Sequence, residues 1–391
     1  MTMTLRERIL SVYNGLTPDV VPFMLDLSHW FYHKHGMPWD LSRAYDKPEC
    51  QLIDYHKAHG VGFYMPNLAS FFSAQYTNGV SSEVTHSSAE ALGGCSLGEV
   101  SLAKGDHESR ITWSLSTPLG SIERTRVWHE QTYSWPISSW GVKTEHDLRV
   151  LGCALSSMEF APRWDRYQAW ADYVGDCGVV YLPAGYSAIG QLLNYWMGIE
   201  GTMYAVYDWP ETMHEVVDQI NQRNLYLIDL LASSPAEIVI MGDNISADVQ
   251  PPHFFDEWSR PYYAEAISRL HAAGKYVAVH IDGKLRGALG MVRDTGADCA
   301  DAVTPIPMGD LTPEECREEA GPDFILSGGV SPELWLPNVS TDDFKGAVIR
   351  WLDLRKLSPR LIANAGDQVP PGAVEDRIQI MRDLIETHGR F

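Results

Sequence analysis

Eight short apolar runs divide this chain, and most of them are separated by enough residues for a helix to return to the start of the next run. They span residues 21–27, 61–67, 179–185, 238–244, 276–283, 298–305, 324–330 and 361–367. β-Strands that are covered on both faces typically have continuous apolar sequences of this kind. Eight such strands alternating with helices predict an α/β protein built as a (β/α)8 TIM barrel. An open doubly wound sheet shows the same alternation and stays an alternative, although no glycine-rich nucleotide-binding motif follows any of the runs.

Residues 74–140 interrupt this alternation between the second and the third run. Short segments at 99–102, 110–115 and 121–128 alternate polar and apolar residues and are separated by glycines, which predicts antiparallel hairpins. We expect a β-rich insertion there, over the strand ends, where it either shapes a substrate pocket or only decorates the fold. The length fits one elaborated barrel or two domains, and we expect a single domain over 1–391.

The composition limits the partners of the protein. With 51 acidic and 30 basic residues the formal net charge is -21, which disfavours binding to a nucleic-acid backbone. The first ten residues lack the apolar stretch of a secretory signal, and no run approaches the roughly 18 apolar residues of a membrane span. The six cysteines are scattered without a CxxC pair. We expect a cytoplasmic protein with reduced thiols and no membrane partner, for which a homo-oligomer remains possible.

The fifth run ends in His280 and Asp282, and this pair is the strongest candidate for the centre of the chemistry. Side chains two residues apart on a strand point the same way, so both would project from one strand end. The active sites of (β/α)8 barrels are built where the strands end. Other polar residues at the predicted strand ends are Asp26, Asn67, Asp243, Asn244 and Asp367. A buried histidine can instead be structural, and Asp243 can instead cap the helix that follows it.

Several motifs occur along the chain in a fixed order. They are RERIL and NGLTPDVVPF within 6–23, TPLG at 117–120, KTEHDL at 143–148, PHFFDEW and PYY within 252–263, and GDQVPP and DRI within 366–378. In this order they resemble the uroporphyrinogen decarboxylase-like superfamily over nearly the whole chain. The resemblance implies a (β/α)8 barrel with one of two activities: cofactor-free decarboxylation of a porphyrinogen, or metal-dependent methyl transfer that involves a corrinoid protein.

The decarboxylase branch binds its polycarboxylate substrate with an arginine-rich motif after the first strand. The corresponding residues here, 24–33, contain no arginine and include Asp26. Arginine suits bidentate binding of carboxylates, so its absence argues against a porphyrinogen substrate.

In the thiol-methylating branch, zinc is held by His-x-Cys and a distant cysteine near the last strand. His280 matches that histidine, while Asp282 and Asp367 fall where the two cysteines would be. The resemblance therefore implies either loss of the metal or Zn²⁺ held by His280, Asp282 and Asp367, with Asp243 as a fourth candidate. Oxygen ligands leave a harder Lewis acid than thiolates do, which suits polarisation of an oxygen.

We therefore predict a metal-dependent methyltransferase of the O-demethylase type, with Asp243 and His280 as its catalytic residues. It would move a methyl group from an O-methyl donor, of the methoxy-aromatic kind, to the cobalt of a corrinoid protein. No corrinoid-binding domain is visible, so cobalamin would arrive on that partner.

The residues expected to contact the substrate are His29, Tyr186, Asn194, Trp196 and Asn244. The helix that contains Asn194 and Trp196 could equally pack into the outer layer of the barrel. Two alternatives remain: a metal-free decarboxylase of a smaller acid that uses Asp243 and His280, and a non-catalytic barrel that binds a corrinoid or an aromatic ligand.

Overall fold

A computed structural model describes residues 3–37, 39, 41, 47–87 and 109–391. Its strands are β1 Phe72–Tyr76, β2 Ser81–Ser87, β3 Arg110–Thr117, β4 Gly120–Val127, β5 Ile137–Ser139, β6 Met158–Pro162, β7 Leu182–Pro183, β8 Ile238–Ile245, β9 Tyr276–Ile281, β10 Cys299–Val303, β11 Ile325–Val330 and β12 Leu361–Ala365.

The helices surround these strands. They are α1 Leu5–Tyr13, α2 Ser28–His35, α3 Cys50–His59, α4 Glu145–Ser156, α5 Trp164–Val174, α6 Ala188–Gln191, α7 Gly198–Asp208, α8 Pro210–Ala232, α9 Pro252–Trp258, α10 Arg260–Ala272, α11 Ala288–Arg293, α12 Pro313–Ala320, α13 Thr341–Asp353 and α14 Asp376–His388. Leu192–Trp196 continue α6 as a π-helix. Short 3-10 helices lie at Gly175–Cys177, Pro332–Trp335 and Leu354–Lys356.

Six parallel strands form the main sheet, in the order β7, β8, β9, β10, β11 and β12. Isolated parallel bridges continue the sheet beyond both edges, between Phe23 and Ala363, Met24 and Gly62, and Phe63 and Gly178. The first two apolar runs therefore supply the two remaining extended segments and close the sheet into a barrel, which confirms the predicted fold class. The eight extended segments that form the barrel wall, in chain order, are called its staves below. The first two pair through isolated bridges and not as the regular strands predicted from the runs at 21–27 and 61–67.

Two glycines allow the closing staves to approach their neighbours. A Cβ atom on Gly62 would lie 2.5 Å from the carbonyl oxygen of Phe23, and one on Gly178 would lie 1.9 Å from that of Phe63. Any larger residue would push the staves apart at these crossings, because the contact is with backbone atoms that cannot turn away. The closure of the barrel thus depends on glycine at both positions.

The predicted β-rich region contains a four-stranded antiparallel sheet in the order β2, β3, β4, β5. β3 and β4 form a hairpin with Arg110 opposite Val127, which confirms the hairpins expected at 110–115 and 121–128. β1 pairs with β6 in a separate two-stranded sheet. The segment at 99–102 lies outside the described residues, and both the insertion limits 74–140 and the single domain over 1–391 stay predictions.

Four apolar clusters occur in the described ranges, the smallest of them around Tyr32, Leu68 and Tyr133, and the three larger ones organise the packing. One lies between the staves and the outer helices, and a second lies between the antiparallel sheet, α4 and the segment from α6 to α8. A third fills the barrel interior near the start of the strands, where Ile9, Val12 and Tyr13 of α1 pack against it. The barrel interior is therefore filled with apolar side chains at this end, and the polar side chains at the carboxyl ends of the strands lie at the other.

None of the helices in the described ranges combines the length and the apolar character needed to cross a membrane.

His56 of α3 makes the stability of the fold dependent on pH. It is 1% exposed, its ring packs against Phe63, and its Nδ1 has no hydrogen-bond partner in the described part of the chain. Burial lowers the pKa of His56 to about 4, although hydrogen bonds that involve the backbone of Val61 and Gly62 act in the opposite direction. Because the unfolded chain binds this proton near pH 6.5, the neutral side chain contributes stability above that pH and loses it towards pH 4.

We predict that His56→Phe removes about 3 kcal/mol of acid sensitivity between pH 7 and pH 4, because the pKa of His56 is 6.5 in the unfolded chain and about 4 in the folded protein, where the side chain is still half neutral at pH 4. The measurement is urea unfolding of wild type and variant at pH 7 and pH 4, and the free-energy difference should move in favour of the variant at low pH. The exposed His253, changed to Phe, is the matched control and should follow the wild type. Parallel pH profiles for His56→Phe and wild type would contradict the assignment.

Candidate active site

A cavity of about 770 Å³ opens at the carboxyl ends of β8 and β9. Its lining residues are Arg126, Ile137, Trp140, Leu193, Asn194, Met197, Gly198, Ile199, Glu200, Gly201, Asp243, Asn244, Ser246, Asp248, Val249, Asp282 and Gly283. The strand ends supply one wall, the π-helix and α7 a second, and the antiparallel sheet a third. A cavity of this size accommodates a small organic molecule. Four of the predicted site residues, Asn194, Asp243, Asn244 and Asp282, line it.

Asp243 connects the end of β8 to the start of α6. It is 1% exposed, and its Oδ1 accepts a hydrogen bond of 2.7 Å from the backbone N–H of Ser187, whose hydroxyl also donates to Oδ2. Burial raises the pKa of Asp243 to about 6, while the Ser187 hydrogen bonds act to lower it. The carboxylate therefore both borders the cavity and fixes the first turn of α6.

Asn194, Asn244 and Tyr186 converge beside Asp243. The Asn194 Nδ2 donates to the carbonyl oxygens of Asp243 and Gly190, each at 3.1 Å. The Tyr186 hydroxyl lies 3.5 Å from the Asn244 Oδ1. Asn244 has a φ of 52°, in the left-handed region that few non-glycine residues adopt, although asparagine does so more readily than most.

His280 of β9 lies at the barrel mouth with three acidic neighbours. Its Nδ1 is 3.5 Å from the Oδ2 of Asp301, and its side chain is 18% exposed. Burial acts to lower the pKa of His280, but the hydrogen bond that its Nδ1 donates to Asp301 and the charges of Asp367, Asp301 and Asp282 together raise it to about 9. Burial and the charges of Asp282 and Asp26 raise the pKa of Asp367 to about 6, against the opposing charge of His280. His280, Asp282 and Asp367 therefore influence one another electrostatically, as expected of side chains at one barrel mouth.

The chemistry of these donors suits a divalent cation. Asp301 holds the Nδ1 of His280, which leaves Nε2 free to ligate, and metal-binding histidines typically have such a carboxylate behind them. Within the described ranges, however, no three or more His, Cys, Asp or Glu side chains are arranged in a group that could hold a metal ion. Zinc binding by His280, Asp282 and Asp367 therefore stays a prediction, and it requires these side chains to move within about 2 Å of one ion.

Asp301 is a site residue that the sequence analysis missed. It is fully buried in β10, and its Oδ1 accepts a hydrogen bond of 3.2 Å from Ser327. The Asn364 Nδ2 is in turn 3.4 Å from the Ser327 hydroxyl and 3.1 Å from that of Tyr64. A polar network thus crosses the barrel interior behind His280. The sequence did contain a signal for Asp301, because it is a carboxylate within a continuous apolar run. Burial of a carboxylate is costly unless it is hydrogen-bonded, which points to a specific role.

Asp26 is bound into another network, across the ends of the first, second and eighth staves. It accepts hydrogen bonds from the backbone N–H of Ser28 at 3.0 Å, from Asn67 Nδ2 at 2.5 Å and from Gln368 Nε2 at 3.1 Å. Its carboxylate is 6% exposed and fixes the relative positions of these staves.

Three predicted substrate residues are not among the lining residues of the cavity: Tyr186, which lies beside Asn244, and His29 and Trp196. His29 contacts the antiparallel-sheet region, where its Nε2 is 2.7 Å from the carbonyl oxygen of Tyr133 and its ring packs near Trp39. Trp196 is 5% exposed and belongs to the apolar cluster beneath that sheet. Packing with other aromatic residues therefore accounts for the positions of His29 and Trp196, and their contact with a substrate stays a prediction.

Gly190 provides a direct test of the site geometry. A Cβ atom there would lie 2.1 Å from the Oδ1 of Asp243 and 2.5 Å from its Cγ. We predict that Gly190→Ala destabilises the protein by about 1–3 kcal/mol, as overpacking of a dense site does. The measurement is urea unfolding, with Gly290→Ala in α11 as the control, because a Cβ there meets nothing closer than Arg293 at 3.9 Å. Equal stability of the two variants would show that Asp243 is not held against Gly190.

Comparison with known proteins gives a family and a fold. The family model described as uroporphyrinogen decarboxylase (URO-D) matches residues 178–388, more than half of the 391 residues. A methyltransferase from Methanosarcina mazei superposes with a TM-score of 0.60 at 14% sequence identity, covering 98% of this chain and 99% of that one. This match agrees with the barrel described above.

A second solved structure is more distant. It is a type I 3-dehydroquinate dehydratase from Clostridium difficile, which superposes with a TM-score of 0.25 at 12% identity over 50% of this chain and 80% of that one, too low to support an argument. No curated protein sequence matches the chain.

Proposed function

This chain belongs to the uroporphyrinogen decarboxylase family, and we propose that within it the protein is a methyltransferase. It moves a methyl group from an O-methyl donor, of the methoxy-aromatic kind, to the cobalt of a corrinoid protein. A shared fold does not show whether the protein is a decarboxylase or a methyltransferase. The proposal therefore rests on the side chains at the barrel mouth.

The observation that carries the proposal is the acidic surrounding of His280. Asp301 contacts its ring, and the charges of Asp282 and Asp367 raise its pKa. Neighbouring carboxylates attract a divalent cation and repel an anion. The barrel mouth around His280, which adjoins the cavity through Asp282, therefore suits an uncharged ether group together with a metal ion, and disfavours the many carboxylates of a porphyrinogen.

The network around Asp26 supports the same choice. At the end of the first stave, where an arginine-rich motif would bind substrate carboxylates, the protein has a buried aspartate held by Ser28, Asn67 and Gln368. An anionic group placed there would meet a like charge in a poorly solvated position. Decarboxylation of a smaller acid by Asp243 and His280 remains the second candidate.

In the proposed reaction the bond between the methyl carbon and the donor oxygen breaks, and its electron pair stays on the oxygen. The methyl carbon bonds to cobalt(I) of the partner's corrinoid, which supplies the electron pair and becomes methyl-cobalt(III). The demethylated oxygen leaves as a phenolate and takes a proton from water. Asn194, Asn244 and Tyr186 position the donor, and Asp243 keeps the first turn of α6 in place beside it.

A zinc ion fits this proposal as the group that polarises the donor oxygen. His280, Asp282 and Asp367 would hold it, and a zinc ion with oxygen ligands would supply a Lewis acid for the departing phenolate.

The activity test uses reduced cobalamin, cob(I)alamin, as the acceptor and a panel of methoxyarenes as donors. We predict that wild type produces methylcobalamin, seen as a change in the visible spectrum, and that His280→Ala does not. Asp301→Asn should lower the rate about 10–100-fold, as loss of a residue that orients a ligand does. His271→Ala is the matched control, because that histidine also pairs with an aspartate, Asp298 at 2.9 Å, but on an outer helix. Release of CO₂ from a small aromatic acid without methylcobalamin would favour the second candidate.

The metal test is elemental analysis of protein purified without added metal. We predict about one zinc per chain, as three protein ligands and one open position would bind. The metal should be lost in His280→Ala and Asp367→Ala and retained in His271→Ala. Wild-type protein that stays free of zinc after incubation with the ion would refute this ligand set, and methyl transfer would then have to proceed without it.

A further inference from the structure

Arg126 gives the cavity a basic wall opposite its acidic strand ends. It is the one cationic side chain among the described lining residues, and it lies across from Ile137 on the neighbouring strand β5. The other charged residues of the lining, Glu200, Asp243, Asp248 and Asp282, are all acidic. A single cation set against four carboxyl groups can discriminate between the two ends of a bound molecule.

Among the described residues, the guanidinium of Arg126 contacts a backbone oxygen and an aromatic ring but no carboxylate. Its Nη1 donates a hydrogen bond of 2.9 Å to the carbonyl oxygen of Trp135, and it lies 5.3 Å from the ring centroid of Tyr195. The charged or polar groups that influence the pKa of Arg126 are Tyr195 and Tyr186, and no Asp or Glu in the described part of the chain is among them. An arginine has five N–H donors in a planar fork that matches a carboxylate, so most of this binding capacity is unused.

Arg124 adds to the positive charge behind this wall. Residues two apart on a strand share a face, so Arg124 lies on the same side of β4 as Arg126. It is 8% exposed and stacks on the rings of Trp113, Tyr195 and Trp196 at 4.5–4.9 Å. Its Nε and Nη1 have no hydrogen-bond partner among the described atoms. Burial lowers the pKa of Arg124 to about 10, and the charge of Arg126 acts in the same direction.

The two partly desolvated guanidinium groups repel each other, and the described residues place no carboxylate against either of them. A ligand carboxylate beside Arg126 would relieve this repulsion and gain charge-assisted hydrogen bonds. We propose that Arg126 binds a carboxylate of the methyl donor, so the substrate class is an aromatic carboxylic acid that carries a methoxy group. The assignment of the methoxy end rests on the proposed function, whereas the anion-binding position does not.

The charge distribution also fixes the orientation of such a substrate. Its carboxylate is attracted to Arg126 and repelled by Asp243 and Asp282 at the strand ends. Its methoxy group therefore points to the strand ends, where His280 lies. The aromatic ring spans the space between them, beside Trp140.

The test is the binding of a matched pair of ligands, 4-methoxybenzoate and 4-methoxybenzamide, which have nearly the same shape and differ in charge. Quenching of tryptophan fluorescence and calorimetry both measure the affinity. Wild type should prefer the benzoate, and Arg126→Gln should weaken benzoate binding about 10–100-fold while changing amide binding less than about 3-fold, as loss of a charged hydrogen bond does. Arg110→Gln, an exposed arginine on β3 of the same sheet, is the control and should leave both affinities unchanged.

Because both ligands are compared within one variant, a general loss of structure would weaken both and cannot imitate the expected result. Arg126→Lys, which keeps the charge but not the fork, should retain part of the preference for the benzoate. An equal affinity of wild type for the two ligands, or an equal loss in Arg126→Gln, overturns the inference.

The outcome is separable from that of the proposed function. Benzoate binding that depends on Arg126 but is never followed by methylcobalamin would leave the anion-binding position in place and remove the methyltransferase. Methylcobalamin formed equally well from the amide and the benzoate would support the methyltransferase and remove the anion-binding position.

Discussion

The close backbone approach of the first two staves to their neighbours is the constraint on which the rest of the structure depends. Gly62 and Gly178 leave no room for a side chain at these crossings, and only then can the chain connect β12 back to β7. Closure brings the eighth stave beside the first and carries Asp367 to the same mouth as His280. In an open sheet β10 and β11 would separate the strands of these two residues, and the residues could not face each other across one mouth.

The closed barrel also explains the uneven distribution of charge around the cavity. The interior is filled by apolar side chains at the starts of the strands and changes to a polar network at His280, Asp301, Ser327 and Asn364. Carboxylates persist there because each is hydrogen-bonded or faces the opening. The positive charge comes from a different element, the antiparallel sheet. Barrel and insertion thus provide chemically different walls to one space.

Much of the fold was predictable from the sequence because its signals are local. Continuous apolar runs identify strands that are covered on both faces, and the motif order points to the family that the comparison confirms. Alternating residues in 110–128 similarly predict the hairpin of β3 and β4. The runs at 21–27 and 61–67 form isolated bridges and not regular strands. Their pairing depends on how closely they approach the neighbouring strands, and a local sequence pattern does not predict that distance.

The site was less predictable because its geometry depends on long-range packing. Asp301 looks like one residue of an apolar strand until its neighbours Ser327 and His280 are known. Arg126 lies in a hairpin whose position over the strand ends cannot be inferred from alternation alone. His29 and Trp196 have side chains that suit contact with an aromatic substrate. In the structure both pack against other aromatic residues of the protein, and their contact with a substrate stays a prediction. Asp243 had two open interpretations, and the structure does not show the predicted cap of the following helix: α9 begins after Pro251 without a side-chain cap, while Asp243 borders the cavity and binds Ser187, the N-cap of the earlier helix α6.

The antiparallel sheet contributes Arg126 and Ile137 to the cavity, yet it lies outside residues 178–388, which match the family model. Mutations in this sheet can alter the preferred ligand while the staves, their glycine crossings and the polar interior stay unchanged. Selection can therefore diversify specificity in one segment without destabilising the scaffold, which separates the evolution of recognition from that of reactivity.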